Sequence, residues 1–278
     1  MRGKDRPRGS RTVAAPGSAA PAFVVDNAVL LLSNVAFVPP FYFASVYSQL
    51  VLGYDANQAG LYLLVVFLGF APAAQVGGRM LDRGGARLPL VLGSALSAVG
   101  FFLWSSKVHD YSLSAQWPFI VMAAAGIGLV LGPSSTDAVN RAINASYGEV
   151  TGITQTVRNY GSTFGLAVLG TILTTVFNHH LTTSLDRLGV PASTLADVAN
   201  QSGGQAQSSL QSAPPALRAP ILDAVRHDFA TGTQAVLIGM GIALAVSFVF
   251  ALRHPGRQAF TSLAGQAIPA TESSVTTD

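Results

Sequence analysis

The sequence predicts an all-α integral membrane protein of six transmembrane helices, and three observations carry that prediction. Of 278 residues, 50% are hydrophobic and only 10% are charged, against about 25% charged in a typical soluble domain. Too few charges remain to cover a water-facing surface. The mean hydropathy is +0.44. Asp, Glu, Lys and Arg are confined to clusters that separate six charge-free stretches. Each stretch is mostly apolar and comes close to or exceeds the roughly 20 residues a helix needs to cross a bilayer. Helices this free of charge offer no polar face for a soluble bundle.

The elements follow in order. Between Asp26 and Asp55 the chain predicts a helix over 28–52, with Pro39 and Pro40 marking a kink because proline removes an internal hydrogen bond. The next stretch, ending at Arg79, predicts 57–78, with Pro72 as a second kink. Arg87 and Lys107 bracket a helix over 88–106, and Asp110 and Asp137 bracket one over 116–136. The fifth helix is placed at 151–177 and the sixth at 230–252. Residues 1–25, rich in Arg, Pro, Ala and Gly, read as a disordered basic tail before a membrane domain over 26–252. Residues 253–278 form a second polar tail. An outer loop is expected over 178–228, in which Ile221, Leu222, Val225 and Phe229 form the apolar face of a short surface helix. A signal peptide is not expected, because the first apolar run starts late and is too long for a signal-peptide core.

Orientation follows from the basic residues. Arg2, Lys4, Arg6, Arg8 and Arg11, then Arg79, Arg83 and Arg87, then Arg141, and finally Arg253 and Arg257 alternate correctly to share one side. The opposite loops hold only Lys107, Arg187, Arg218 and Arg226. Both termini are therefore expected in the cytoplasm of a multi-pass cell-membrane protein. Tyr54, Trp104, Tyr111 and Trp117 fall at outer helix ends, where an aromatic belt sits. On this reading the formal charge of +3 reflects cytoplasmic loops and not affinity for nucleic acid. The absence of cysteine excludes disulfides, thiolate zinc sites and iron–sulfur clusters. No Ser/His/Asp set, phosphate loop or metal-ligand cluster has usable spacing. No enzyme, cofactor or metal is expected.

The second-to-third connection reads Gly78-Arg79-Met80-Leu81-Asp82-Arg83-Gly84-Gly85-Ala86-Arg87. Gly78 is expected to end a helix, Gly85 to permit a tight turn, and Asp82 to offer its carboxylate to a helix N-terminus or an arginine. Gly78, Asp82, Arg83, Gly85 and Arg87 resemble the cytoplasmic loop signature of the major facilitator superfamily, with Leu88 where a further basic residue often stands. Gln49 to Tyr54 with Gln58, Ala59 and Gly60 resembles the first outer loop of the second half in that family's fourteen-helix drug:proton antiporter branch. Gly148 to Gly152, then Arg158, Asn159, Gly161 and Gly165, resembles the entry to its penultimate helix. His227 to Phe229 with Gln234 and Ala235 resembles the start of its last. The similarity covers about residues 23–252.

The resemblance implies the C-terminal six-helix half of a major-facilitator bundle. It also implies secondary transport of small molecules, of the multidrug-efflux type coupled to protons, with a second six-helix unit as partner. A non-transporting membrane partner, or an inactive half, is the alternative. In the fourth helix Gly128, Gly132 and Pro133 resemble part of the family's antiporter motif. The residues themselves favour a closely packed, bendable helix, since small side chains let backbones approach in lipid. Gln75, Gln155, Arg158 and Asn159 form a candidate intramembrane polar site. Arg158 is either a charge inside the span, which marks function by default, or the headgroup-level start of the fifth helix. Asp26, Asp137 and Asp228 are read as helix ends, leaving no mid-span carboxylate for coupling.

Overall fold

A computed structural model describes residues 20–140, 147–188 and 215–255. Seven α-helices make up the described fold: α1 (Ala20–Val35), α2 (Pro39–Leu50), α3 (Ala56–Gly84), α4 (Arg87–Lys107), α5 (Leu113–Asn140), α6 (Tyr147–Arg187) and α7 (Pro215–Leu252). A single 3-10 turn over Val108–Asp110 joins α4 to α5. No strand occurs among the described residues. α1 and α2 together form one apolar span, so the six expected spans are present.

The break between α1 and α2 is where Pro39 and Pro40 predict it, since they occupy the first turn of α2 and need no intrahelical N–H partner there. Pro72 lies within α3, which runs on through it. α3 starts on a capping box. Asp55 Oδ1 accepts from the Gln58 backbone N–H at 2.8 Å, and Gln58 Oε1 accepts from the Asp55 N–H at 3.1 Å. Such reciprocal bonds satisfy two otherwise orphaned donors. The helix ends at Gly85, whose φ of 85° is open to glycine and costly for other residues. Gly78 therefore does not end α3, as expected from the sequence; it lies inside the helix.

Three further expectations are corrected. Helix α1 begins at Ala20, so the segment 20–25 belongs to the bundle and not to the basic tail; residues 1–19 lie outside the described residues. The outer loop expected over 178–228 is helical at both of its described ends. α6 has 41 residues, about 60 Å of helix, and passes well beyond a hydrocarbon core of roughly 30 Å. The expected surface helix over 220–229 is the opening of α7, continuous through Pro220. Leu181 and Leu185 of α6 pack there on Ile221 and Val225 of α7, so the two helices project as a pair. The remaining loop residues, 189–214, and the tail from 256 lie outside the described residues.

Trp104 is also not an interfacial belt residue. It is 4% exposed and donates from Nε1 to Gln116 Oε1 at 3.3 Å. Trp117 and Tyr111 are exposed, as an aromatic belt requires.

The bundle is built on close backbone crossings. α5 packs against α3 on one side and α4 on the other, and α7 packs against α4 and α6. A Cβ on Gly126 would strike Ser97 of α4, and one on Gly128 would strike the Phe70 carbonyl of α3. Gly128 thus sits at a close backbone crossing. Gly132, in contrast, is exposed, and a Cβ there would have nothing within 4 Å.

Candidate functional site

The starts of α1 and α6, the α3–α4 turn and the ends of α5 and α7 lie at one end of the bundle, here the basic end. Arg87 donates to the Leu252 carbonyl there at 3.3 Å.

Two helices leave most of their surface uncovered. In α3 and α6 only 22% of the apolar window is buried, against 56% in the α1–α2 span, α4 and α5. Leu61, Leu64 and Phe67 of α3, and Tyr160 and Phe164 of α6, stand exposed. The interior itself offers little room. One crevice, lined by Pro40, Phe43, Trp104 and Met240, and another, lined by Phe37, Phe70 and Ile127, each have space for about one water molecule. Neither crevice has space for a substrate, whereas the faces of α3 and α6 lie open.

The predicted polar residues lie on or beside those faces. Gln75 is exposed on α3. On α6, Gln155 and Asn159 are exposed, and Gln155 Nε2 donates to Asn159 Oδ1 at 3.2 Å. Arg158 beside them is half-buried. Its level is readable from two crossings, since a Cβ on Gly161 would meet Leu31 and one on Gly165 would meet Val35. Extending that register by about one turn puts Arg158 beside Ala28, in the third turn of α1. It lies more than two turns into α6, whose first residue is Tyr147. The fold does not gather these four residues into one cluster, because α3 and α6 share no packing seam.

The loop-signature residues lie at the basic end. Asp82 and Arg83 occupy the last turns of α3 and are exposed. Arg87 opens α4 and reaches the end of α7. Asp82 makes no hydrogen bond or ion pair with the described residues. Pro133 sits within α5, its ring against the position of Gly77.

Sequence reading missed a buried polar cluster. Asp26 is not a helix-end residue but lies in the second turn of α1, and Asp137 is in the last turn of α5; both are buried. His254 Nε2 lies 3.2 Å from Asp26 Oδ1 and 3.1 Å from Asp137 Oδ2. Burial alone would lower the His254 pKa, but its hydrogen bonds to Asp137 and Asp26, and their charges, outweigh this and raise it. The two carboxylates thus draw positive charge to this spot. Asp228, also expected at a helix end, is buried inside α7. No spacing rule joins Asp137 to His254, 117 residues away. The available signal was an acidic residue within a turn or two of an apolar helix end.

A family model described as Major Facilitator Superfamily matches residues 5–166. The chain is 28% identical over 215 residues to the methyl viologen resistance protein of Salmonella typhimurium, covering 76% of this chain and 42% of that protein. It is 33% identical over 155 residues to the cephamycin export protein of Amycolatopsis lactamdurans, covering 52% of this chain and 30% of that protein. To a multidrug transporter protein of Bacillus subtilis it is 25% identical over 179 residues, covering 63% and 33%. The chain spans less than half the length of these curated relatives.

Proposed function

The chain belongs to the Major Facilitator Superfamily, and from that premise we propose that it forms one six-helix half of a secondary transporter that exports small amphipathic compounds in exchange for protons. The observation that carries this reading is the uncovered surface of α3 and α6. Alternating access needs a cleft between two rocking halves, with substrate bound near the bilayer midplane. One wall of such a cleft is an apolar face with a few polar groups on it. α3 supplies Gln75, and α6 supplies Gln155, Arg158 and Asn159. A second six-helix unit supplies the other wall. Asp82, exposed at the end of α3, then meets that unit and helps to fasten one conformation. Gly132, open on the surface of α5, lets the facing wall come close. Three relatives whose names describe resistance, export or multidrug transport support the substrate class. In this reading both ends of the chain are cytoplasmic and the cell membrane is the site of action.

The test uses everted membrane vesicles containing the chain in its native assembly, with ethidium as the probe. Respiration-driven uptake above control vesicles, abolished by a protonophore, supports proton-coupled export. Crosslinking in the same membranes supports the two-unit arrangement if it joins α3 or α6 to a second six-helix unit. Purified monomer that drives ethidium uphill in proteoliposomes overturns that arrangement.

A further inference from the structure

Asp26, Asp137 and His254 take no part in the uncovered faces, yet they converge at the basic end from α1, α5 and the segment just after α7. Their side chains are 0–4% exposed. One donor atom from each lies within 4.8 Å of the other two. We propose that these three residues form a binding site for a single divalent transition-metal ion of the zinc class, which ties the start of α1 to the ends of α5 and α7.

The geometry argues for an ion. An imidazole nitrogen carries at most one proton and directs it well toward one acceptor. Here two carboxylate oxygens crowd the same Nε2, at 3.1 Å and 3.2 Å. A metal accepts all three donors at once. Zinc bonds to histidine nitrogen and carboxylate oxygen are about 2.0–2.2 Å, and a tetrahedral arrangement of such bonds spaces the donors roughly 3.3–3.5 Å apart. Two of the three spacings are already close to that, and rotation of a carboxylate adjusts the third. The ion replaces the Nε2 proton, which leaves to solvent.

Charge and ligand type agree with this choice. Two carboxylates and a neutral imidazole carry the charge that a dication matches, and buried carboxylates favour a positive ligand. Calcium and magnesium prefer all-oxygen sites, whereas imidazole suits zinc and its neighbours. The scaffold holds the end of α7 in place independently. Ser94 and Ser247 hydroxyls are 3.2 Å apart across α4 and α7, and Arg87 bonds the Leu252 carbonyl.

The test titrates zinc chloride into the full chain, purified in detergent without a histidine tag and stripped with a chelator. The expected result is one equivalent bound. At a hundredfold excess over the dissociation constant, the unfolding midpoint should rise by roughly 5–10 °C. In Asp137→Asn and His254→Gln the affinity should fall at least tenfold and the midpoint shift should vanish. A variant with His109, His179, His180 and His227 all changed to Ala should keep both. X-ray absorption of zinc-loaded wild type should show a light-atom shell with one imidazole, and this decides the matter even if the two site variants do not fold. No zinc-induced shift in stripped wild type, undiminished affinity in His254→Gln, or two or more imidazoles in the shell overturns the proposal.

Discussion

The Tyr47 hydroxyl donates to the Val108 carbonyl at 2.6 Å, joining residues 61 positions apart. The same hydroxyl accepts from Gln116 Nε2 at 3.0 Å. Gln116 Oε1 in turn accepts from Tyr62 at 2.8 Å and from Trp104 at 3.3 Å. One buried amide thus links α2, α3, α4 and α5 inside an apolar interior.

Replacing that amide should be costly. Gln116→Leu leaves the Tyr62 and Trp104 donors buried without an acceptor, and each orphaned group costs about 1–3 kcal/mol. A loss of about 2–3 kcal/mol is expected, with a smaller loss near 1 kcal/mol for Tyr62→Phe. Unfolding in detergent followed by helical circular dichroism measures both. Equal midpoints for wild type and Gln116→Leu would remove the network from any account of stability.

The two glycine environments on α5 give a paired prediction. Gly126 crosses α4 against Gly93 and Ser97, so a side chain there meets backbone that cannot yield. Gly126→Leu should destabilise by at least the 1–3 kcal/mol typical of overpacking, or prevent folding outright. Gly132→Leu meets nothing within this bundle and should fold normally. If Gly132 faces the second unit, that variant should instead reduce crosslinking and transport. Matching yields and midpoints for the two variants would contradict the contrast.

The spans were legible because lipid excludes charge, and the charge-free stretches mark the lipid. They do not mark helix ends. Asp186 and Arg187 continue α6, and Arg218 and Arg226 lie within α7. Charge is no obstacle to a helix that has left the apolar layer, so counting charges shortened both. Gly78 misled for a related reason: a glycine can end a helix, but Gly85, with its positive φ, does so here. Trp104 shares its height in the sequence with a belt residue, and only packing reveals that it faces Gln116. The Asp26, Asp137 and His254 cluster had no local pattern, because its residues come from α1, from α5 and from just beyond α7. Contacts made by the fold alone leave no period or spacing to read.

Asp82 lies in the last turn of α3, where the helix dipole disfavours a negative charge. It has no bonding partner among the described residues. Asp82→Asn should therefore leave this chain as stable as wild type, or more stable by up to about 1 kcal/mol. In the two-unit assembly the same change should alter transport several-fold, since the loss of one charge-assisted bond is worth roughly 1.5–3 kcal/mol. Denaturation of the isolated chain and vesicle uptake by the assembly are the paired measurements. Loss of stability without loss of transport would assign Asp82 to this bundle and not to its partner.

Orientation can be tested one thiol at a time, because the sequence contains no cysteine. The α3–α4 turn carries Arg79, Arg83 and Arg87 at the basic end, and Ser112 lies at the opposite end just before α5. Each basic residue near an anionic cytoplasmic leaflet gains about 1 kcal/mol. Three on one turn favour the expected orientation by about 3 kcal/mol before the other basic segments are counted. In intact cells, Ser112→Cys should react with an impermeant maleimide. Gly84→Cys, exposed at the end of α3, should react only after the membrane is permeabilised. Labelling of Gly84→Cys from outside, with Ser112→Cys protected, would invert the bundle. It would also put the end of the bundle that holds the His254 cluster on the external side, where a different metal supply would reach it.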